Sequence, residues 1–171
     1  MEPDALVVVE QMIQRSPLID EAIAHRPWTL VHGDLRAENL LFAQNAEQRE
    51  VALIDWGTCT RSLAAIDLAF LIGGSMPMPA RRGRIPALLK RWHQGLVRHG
   101  VRDDSVEQAW SDLQLASLRC LSAVLLLHHW QLNPNVDAQV LLLEDEEIVR
   151  YCALVVELRA LEALPVVPPG S

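Results

Sequence analysis

Residues 29–57 read TLVHGDLRAENLLFAQNAEQREVALIDWG, and this stretch decides the fold expected for the whole chain. Residues 40–43 and 51–54 are short apolar runs, and the polar residues 44–50 between them are typical of a reversing turn. Two runs joined in this way predict an antiparallel hairpin. An apolar pair at residues 30–31 predicts a further strand that leads directly into a polar loop.

Three polar side chains flank these strands. Asp34 lies in the loop after the first strand, Asn39 precedes the hairpin and Asp55 follows it. Antiparallel pairing brings Asn39 beside Asp55 at one edge, although 16 positions separate them in the chain. Mg²⁺ takes few protein oxygens, and phosphoryl transfer needs a carboxylate that accepts the proton of the attacking hydroxyl. The pattern predicts a magnesium-dependent phosphoryl-transfer site.

The sequence HGDLRAEN at residues 32–39, followed by IDW at residues 54–56, resembles the catalytic and metal loops of the aminoglycoside phosphotransferase and choline kinase superfamily. These proteins are small-molecule kinases with a protein-kinase-like fold. Gly33 stands where protein kinases usually carry arginine, which favours the small-molecule branch. Residues 67–71, DLAFL, with GGS at residues 73–75, are most similar to the ecdysteroid-kinase-like group and its bacterial relatives.

The resemblance implies a role for each polar residue of the two loops. Asp34 would be the catalytic base, Asn39 and Asp55 would hold Mg²⁺, and ATP would be the phosphate donor. Asp67 would brace the catalytic loop from the start of the next helix, and His32 would fix the backbone of that loop. Taken without the resemblance, Asp67 is more readily a helix cap than a catalytic residue, and His32 is a packed loop histidine rather than a ligand.

Arg36 lies two positions past the expected base. In protein kinases a lysine at this position meets the transferred phosphate. We expect Arg36 to do the same and count it with Asp34 as a catalytic residue. A solvated loop arginine is the open alternative.

Outside the two loops, apolar residues recur at helical spacing, so the expected fold class is mainly α with a small β-hairpin. The resemblance implies that the chain is the C-terminal lobe of a protein-kinase-like fold, with the N-terminal lobe absent. Residues 1–164 would form the lobe, with the catalytic and metal loops at residues 29–57 and a helical substrate subdomain at residues 82–164. Residues 165–171 would be a flexible tail.

Helices are predicted over six segments, namely residues 4–15, 16–25, 66–72, 85–99, 106–130 and 145–164. Gly73 and Gly74 are expected to end the third of these helices. The apolar residues of segment 57–65 show no clear periodicity, and this segment is expected to form a loop. Residues 76–79, with two prolines, are expected to form a rigid exposed link.

Two groups of side chains in the helical part have competing interpretations. The basic residues indicate a solvated helix face more than a phosphate or acidic-substrate site; they are Arg81, Arg82, Arg84, Lys90 and Arg91. Three tryptophans fit an apolar acceptor pocket and a packed core equally well; they are Trp92, Trp110 and Trp130.

Composition narrows the class of protein. A chain of 171 residues, half of them apolar, can bury one core, so one domain is expected. The net charge of −7 argues against a nucleic-acid partner. The acidic start of the chain leads us to expect no secretory signal, and we expect no membrane span because no uninterrupted apolar run reaches roughly eighteen residues. Three widely separated cysteines are typical of reduced packing residues, which favours a cytoplasmic protein.

Nothing before residue 29 provides a glycine-rich loop over the ATP phosphates or a lysine paired with a helix glutamate. We therefore expect the chain to work with a separate N-terminal lobe and to have negligible activity alone. Loss of substrate positioning can remove roughly 7–11 kcal/mol of catalytic assistance. The surface that would face the other lobe is expected to expose apolar side chains.

Three functions compete at this stage. The first is ATP-dependent phosphorylation of a small-molecule hydroxyl, on an aminoglycoside, a choline-like alcohol, a sugar or a steroid alcohol. The second is a non-catalytic kinase-like interaction module, against which the retained Asp34, Asn39 and Asp55 count. The third is a metal hydrolase built from Asp34, Asp55 and Asp67, which would need further ligands at suitable spacing.

Overall fold

A computed structural model describes residues 3–43, 51–102, 105–131 and 146–164. The helices in these segments are α1 (Pro3–Gln14), α2 (Ser16–Ala24), α3 (Ala65–Ser75), α4 (Met78–Arg81), α5 (Ile85–Arg98), α6 (Val106–Gln131) and α7 (Glu146–Glu157). The strands are β1 (Trp28–Val31), β2 (Leu40–Phe42), β3 (Val51–Leu53) and β4 (Thr60–Leu63). Short 3-10 turns are Ala37–Asn39, Trp56–Thr58 and Ala160–Ala163. The expected fold class, mainly α with a small β-hairpin, is confirmed.

Two small antiparallel sheets frame the loops. Strands β2 and β3 form the predicted hairpin, with Leu40 opposite Leu53, and its turn lies outside the described residues. Strand β4 pairs with β1, with Val31 opposite Thr60. The loop expected over residues 57–65 is therefore wrong. The sequence TRSL contains no apolar run, and only Leu63 of this strand is buried, so the strand depends on a partner that is distant in the chain.

Helix α6 lies at the centre of the helical part. It packs against α2, α3, α5 and α7, so apolar residues such as Leu113, Leu118 and Leu121 are buried around much of its circumference. A helix that packs against neighbours on several sides is apolar around much of its surface. Among the described helices, only the segment Val106–Leu127 is long and apolar enough to cross a membrane. In the structure, 44% of its most apolar stretch is buried inside the protein.

Helix α3 does not stop at its two glycines, so the expected end after residue 72 is wrong. It continues through Gly73 and Gly74 to Ser75. A Cβ atom on Gly73 would overlap the ring of Tyr151, with Cδ1 only 2.6 Å away, and one on Gly74 would lie 3.0 Å from Cδ of Arg36. The two glycines form a notch for side chains from elsewhere in the fold, and this tertiary contact outweighs their tendency to end helices.

Replacing Gly73 by alanine is expected to lower the free energy of unfolding by roughly 1–3 kcal/mol, because the buried ring of Tyr151 must move. Gly95 in α5 is the matched control, since a Cβ there would meet nothing within 4 Å. Gly95→Ala should raise the same quantity by about 0.5–1 kcal/mol. Urea denaturation of both variants measures the difference, and a stabilised Gly73→Ala protein would contradict the notch.

The other helices agree with the sequence except at two places. Residues 76–79 were expected to form a rigid link, but Met78–Arg81 is helical, because Pro79 lies in the first turn, where its missing N–H costs nothing. The last helix ends at Glu157 rather than at residue 164: Arg159 has a left-handed φ of 52°, and a 3-10 turn follows. The predicted start at residue 145 and the tail, residues 165–171, lie outside the described residues.

Arg81 contradicts the solvated face expected for the basic cluster. It is completely buried, places Nε 3.2 Å from Oε2 of Glu157, and donates from Nη2 to the carbonyl of Arg150 at 2.8 Å. Burial lowers the pKa of Arg81 from its ordinary value, and Glu157 opposes this effect. Arg81 therefore ties α4 to α7. The other members of the cluster are exposed, as expected; they are Arg82, Arg84, Lys90 and Arg91.

The tryptophans and cysteines singled out in the sequence differ in how deeply they are buried. Trp92 and Trp110 are half-buried and pack against the core, which favours the core interpretation for these two. The side chain of Trp130 lies outside the described part. Cys120 and Cys152 are buried, as expected for packing residues, but Cys59 is exposed.

Candidate active site

Asp67, in the first turn of α3, holds the loop between β1 and β2. Its Oδ2 accepts a hydrogen bond from the backbone N–H of His32, and its Oδ1 accepts one from the N–H of Gly33, both at 2.9 Å. Helix α3 has no side-chain cap hydrogen bond at its N-terminus. The carboxylate of Asp67 therefore accepts hydrogen bonds from the loop instead of capping its own helix. Two charge-assisted hydrogen bonds fix the backbone immediately before Asp34.

His32 joins this loop to the segment that follows β3. The side chain is buried, and its Nε2 lies 2.8 Å from the carbonyl of Ile54. Its own carbonyl accepts a hydrogen bond from Oγ1 of Thr58 at 3.0 Å, and its ring lies 4.8 Å from that of Trp56. His32 is therefore a packed side chain that connects the two loops, as expected.

Gly33 occupies a position that only glycine fits. Its φ is +81°, in the region that residues with a side chain rarely adopt. A Cβ atom there would also lie 2.5 Å from the carbonyl oxygen of Thr58. The structure thus gives a steric reason for a glycine at this position of the loop.

Asn39 is turned toward Asp34. The 3-10 turn Ala37–Asn39 brings its side chain back over the loop, where Nδ2 donates to the backbone carbonyl of Asp34 at 2.8 Å and approaches its Oδ2 at 3.3 Å. Asn39 is buried, whereas the side chain of Asp34 is 27% exposed. Since the amide nitrogen of Asn39 is bonded to Asp34, its carbonyl oxygen is the atom left for a cation.

Asp55 lies at the same end of the hairpin as Asn39. The N–H of Ile54 donates to the carbonyl of Asn39 at 3.1 Å, which extends the β2–β3 ladder by one pair, and Asp55 follows directly. Asp55 is exposed and has a left-handed backbone, φ 60° and ψ 63°. Such a conformation is uncommon for a residue other than glycine and is found at functional sites. An amide oxygen and an exposed carboxylate are a donor set that fits Mg²⁺.

Arg36 is partly buried and paired, which does not fit a solvated loop arginine. Its Nε lies 2.9 Å from Oδ1 of Asp34, and its Nη1 lies 3.4 Å from Oε1 of Glu147 in α7. Burial alone would lower the pKa of Arg36, but the carboxylates of Asp34 and Glu147 raise it above its ordinary value. The guanidinium therefore stays charged beside Asp34. Sequence reasoning missed Glu147, because no local pattern links it to the catalytic loop.

The metal-hydrolase hypothesis does not fit this arrangement. Both carboxylate oxygens of Asp67 accept backbone hydrogen bonds from the loop. Within the segments that the structure describes, no three His, Cys, Asp or Glu residues are grouped so that they could hold a metal ion. In the described residues, the carboxylate of Asp34 is therefore paired with the amide of Asn39 and the guanidinium of Arg36 rather than grouped with other carboxylates.

The structure brings the amide of Asn39 to Asp34 and places Asp55 at the same end of the hairpin as Asn39. Residues 2–103 match the family model of the phosphotransferase enzyme family, APH. The match covers more than half of the chain and includes both loops, so the chain belongs to this family. The expected relationship to the aminoglycoside phosphotransferase superfamily is confirmed at this level. No curated protein and no solved structure matches the chain.

Proposed function

We propose that this chain carries the catalytic site of an ATP- and Mg²⁺-dependent phosphotransferase that acts on a hydroxyl group of a small molecule. One observation carries the proposal. The partly exposed carboxylate of Asp34 is fixed by the amide of Asn39 at the hairpin end where Asp55 also lies. Membership in the phosphotransferase enzyme family supports the same reaction class.

Each side chain of the site has a part in this reaction. Asp34 accepts the proton of the attacking hydroxyl as phosphoryl transfer proceeds. Arg36, charged and adjacent, donates hydrogen bonds to the transferred phosphate. The amide oxygen of Asn39 and the carboxylate of Asp55 would hold Mg²⁺, which when bound neutralises charge on the ATP phosphates. Asp67 keeps the loop backbone in place.

A second lobe is part of the proposal. Exposed apolar side chains concentrate on the two sheets and the residues that follow β3, and we call this set the apolar rim; it consists of Trp28, Leu30, Leu41, Phe42, Val51, Leu53, Ile54 and Trp56. Exposed apolar clusters mark interaction surfaces. We propose that the rim docks a nucleotide-clamping lobe, and that the chain alone has negligible activity. The rim also supports the alternative, a non-catalytic interaction module.

A protein-kinase-like arrangement of the two lobes belongs to the same proposal. Its support is the order of the elements: a strand, the catalytic loop, a hairpin, the metal loop and then a helix whose aspartate braces the catalytic loop. We further propose the ecdysteroid-kinase-like group as the nearest relatives within the superfamily. The sequence of α3, with its DLAFL segment and the Gly73-Gly74 notch, supports this placement.

Thermal unfolding with and without MgATP separates the two functions. At a ligand concentration ten times Kd, MgATP should raise the melting temperature by about 3–6 °C. ATP with a chelator should give no increment, and Asp55→Asn should remove it because the metal loses its carboxylate. Asp20→Asn is the matched control, since that side chain is exposed on α2 and remote in sequence from the loops. A wild-type chain without any MgATP increment would favour the interaction module.

A further inference from the structure

Glu147 contacts the catalytic loop although 111 positions separate it from Arg36. Its Oε1 lies 3.4 Å from Nη1 of Arg36, while Nε of the same guanidinium lies 2.9 Å from Oδ1 of Asp34. One guanidinium therefore bridges two carboxylates. We propose that Glu147 is a positioning residue that holds Arg36 beside Asp34 in readiness for a phosphate group. The part about phosphate rests on the proposed function, whereas the placement of Arg36 does not.

The packing of α7 against α3 explains why Glu147 lies next to Arg36. Glu147 and Tyr151 are one helical turn apart and share a face of α7. Tyr151 is fully buried against the notch of α3, and its hydroxyl donates to the carbonyl of Phe70 at 3.4 Å. With Tyr151 fixed in the notch, the carboxylate of Glu147 is directed to the guanidinium of Arg36.

The same notch supports the aliphatic part of Arg36. An added Cβ on Gly74 would lie 3.0 Å from both Cγ and Cδ of Arg36 and 3.2 Å from the hydroxyl of Tyr151. The stem of Arg36 thus lies across α3, while its charged end is held by carboxylates on two sides. These contacts restrain the orientation of Arg36 before any ligand binds.

This arrangement lets one end of the guanidinium exchange partners. Nε and Nη2 face Asp34, at 2.9 and 3.4 Å, and Nη1 faces Glu147. A phosphate oxygen can take the donors that face Asp34 and so free that carboxylate for the hydroxyl proton. Because Nη1 stays on Glu147, the side chain does not leave the site during the exchange, and less rotamer freedom is lost on binding.

The first test measures the Arg36 side chain in the unliganded chain. In ¹⁵N-labelled protein, hydrogen exchange of the buried Arg36 Nε–H should become about two- to fivefold faster in Glu147→Gln, because loss of the partly exposed ion pair at Nη1 loosens the whole side chain. Glu146→Gln is the matched control: Glu146 is the neighbouring carboxylate on α7, its side chain is 88% exposed, and it faces Arg150. Equal exchange in the wild type and Glu147→Gln would overturn the proposal, whatever the chain's function.

The second test separates positioning from a purely structural role. Thermal melts across a MgATP titration should give a Kd about three- to tenfold higher for Glu147→Gln than for wild type and Glu146→Gln, because the Arg36 donors are less well oriented. If Glu147 only anchored α7, the free chain would melt lower and the MgATP increment would be unchanged, which would overturn its role toward phosphate. Absence of MgATP binding even when the nucleotide-clamping lobe is present would refute the proposed function, and the exchange measurement would still decide the placement of Arg36.

Discussion

Asp34→Asn is expected to lower the rate of phosphoryl transfer by about 10²- to 10⁴-fold, the usual contribution of a positioned general base. The amide of the variant has the shape of the carboxylate but does not accept the hydroxyl proton. Its oxygen can still receive a hydrogen bond from Arg36, so the loop should keep its conformation. The measurement is ATP-dependent phosphorylation of an alcohol acceptor in the presence of the proposed nucleotide-clamping lobe.

The stability of this variant should change little, which keeps the result interpretable. The ion pair between Asp34 and Arg36 is partly exposed, and such pairs contribute about 0–1 kcal/mol. Asp20→Asn, on an exposed turn of α2, controls for the general effect of removing a negative charge. Turnover of Asp34→Asn close to that of Asp20→Asn would show that Asp34 is not the base.

The hairpin and the residues at its end could be predicted from the sequence because their information is local. Two apolar runs around a polar turn determine the register, and the register alone brings Asn39 and Asp55 to one end. The hydrogen bonds of Asp67 could not be read in the same way. They join α3 to backbone N–H groups 34 and 35 positions earlier, and only the resemblance to kinases suggested them.

Contacts between distant segments account for what the sequence did not predict. Strand β4 has no apolar run, and it forms because β1 offers an unpaired edge. The two glycines of α3 are typical of a helix end in the local sequence. In the fold they instead make room for the side chains of Tyr151 and Arg36. Glu147 is one of two acidic residues in the first turn of α7, and its contact with Arg36 follows from the packing of α7 on α3. In each case, tertiary packing overrides the local signal.

Gly33→Ala is expected to lower the free energy of unfolding by roughly 2–5 kcal/mol. Two costs add at this position: the left-handed backbone conformation, with φ at +81°, and the approach of the new Cβ to 2.5 Å from the carbonyl oxygen of Thr58. Gly83→Ala separates the two costs. Gly83 has a φ of +71°, but a Cβ there would meet nothing within 4 Å. That control should therefore lose only about 1–2 kcal/mol.

Urea denaturation of both variants measures these values, and equal losses would show that the contact with Thr58 costs nothing. The opposing atom belongs to the backbone, so no side-chain rotation relieves the overlap. Relief needs a shift of the loop or of the 3-10 turn Trp56–Thr58, which directly follows Asp55. The N–H of Gly33 donates a hydrogen bond to Asp67, and Asp34 is the next residue, so a shifted loop also displaces Asp34, the proposed base. Gly33→Ala should therefore reduce phosphoryl transfer even at temperatures where it stays folded, whereas Gly83→Ala should not.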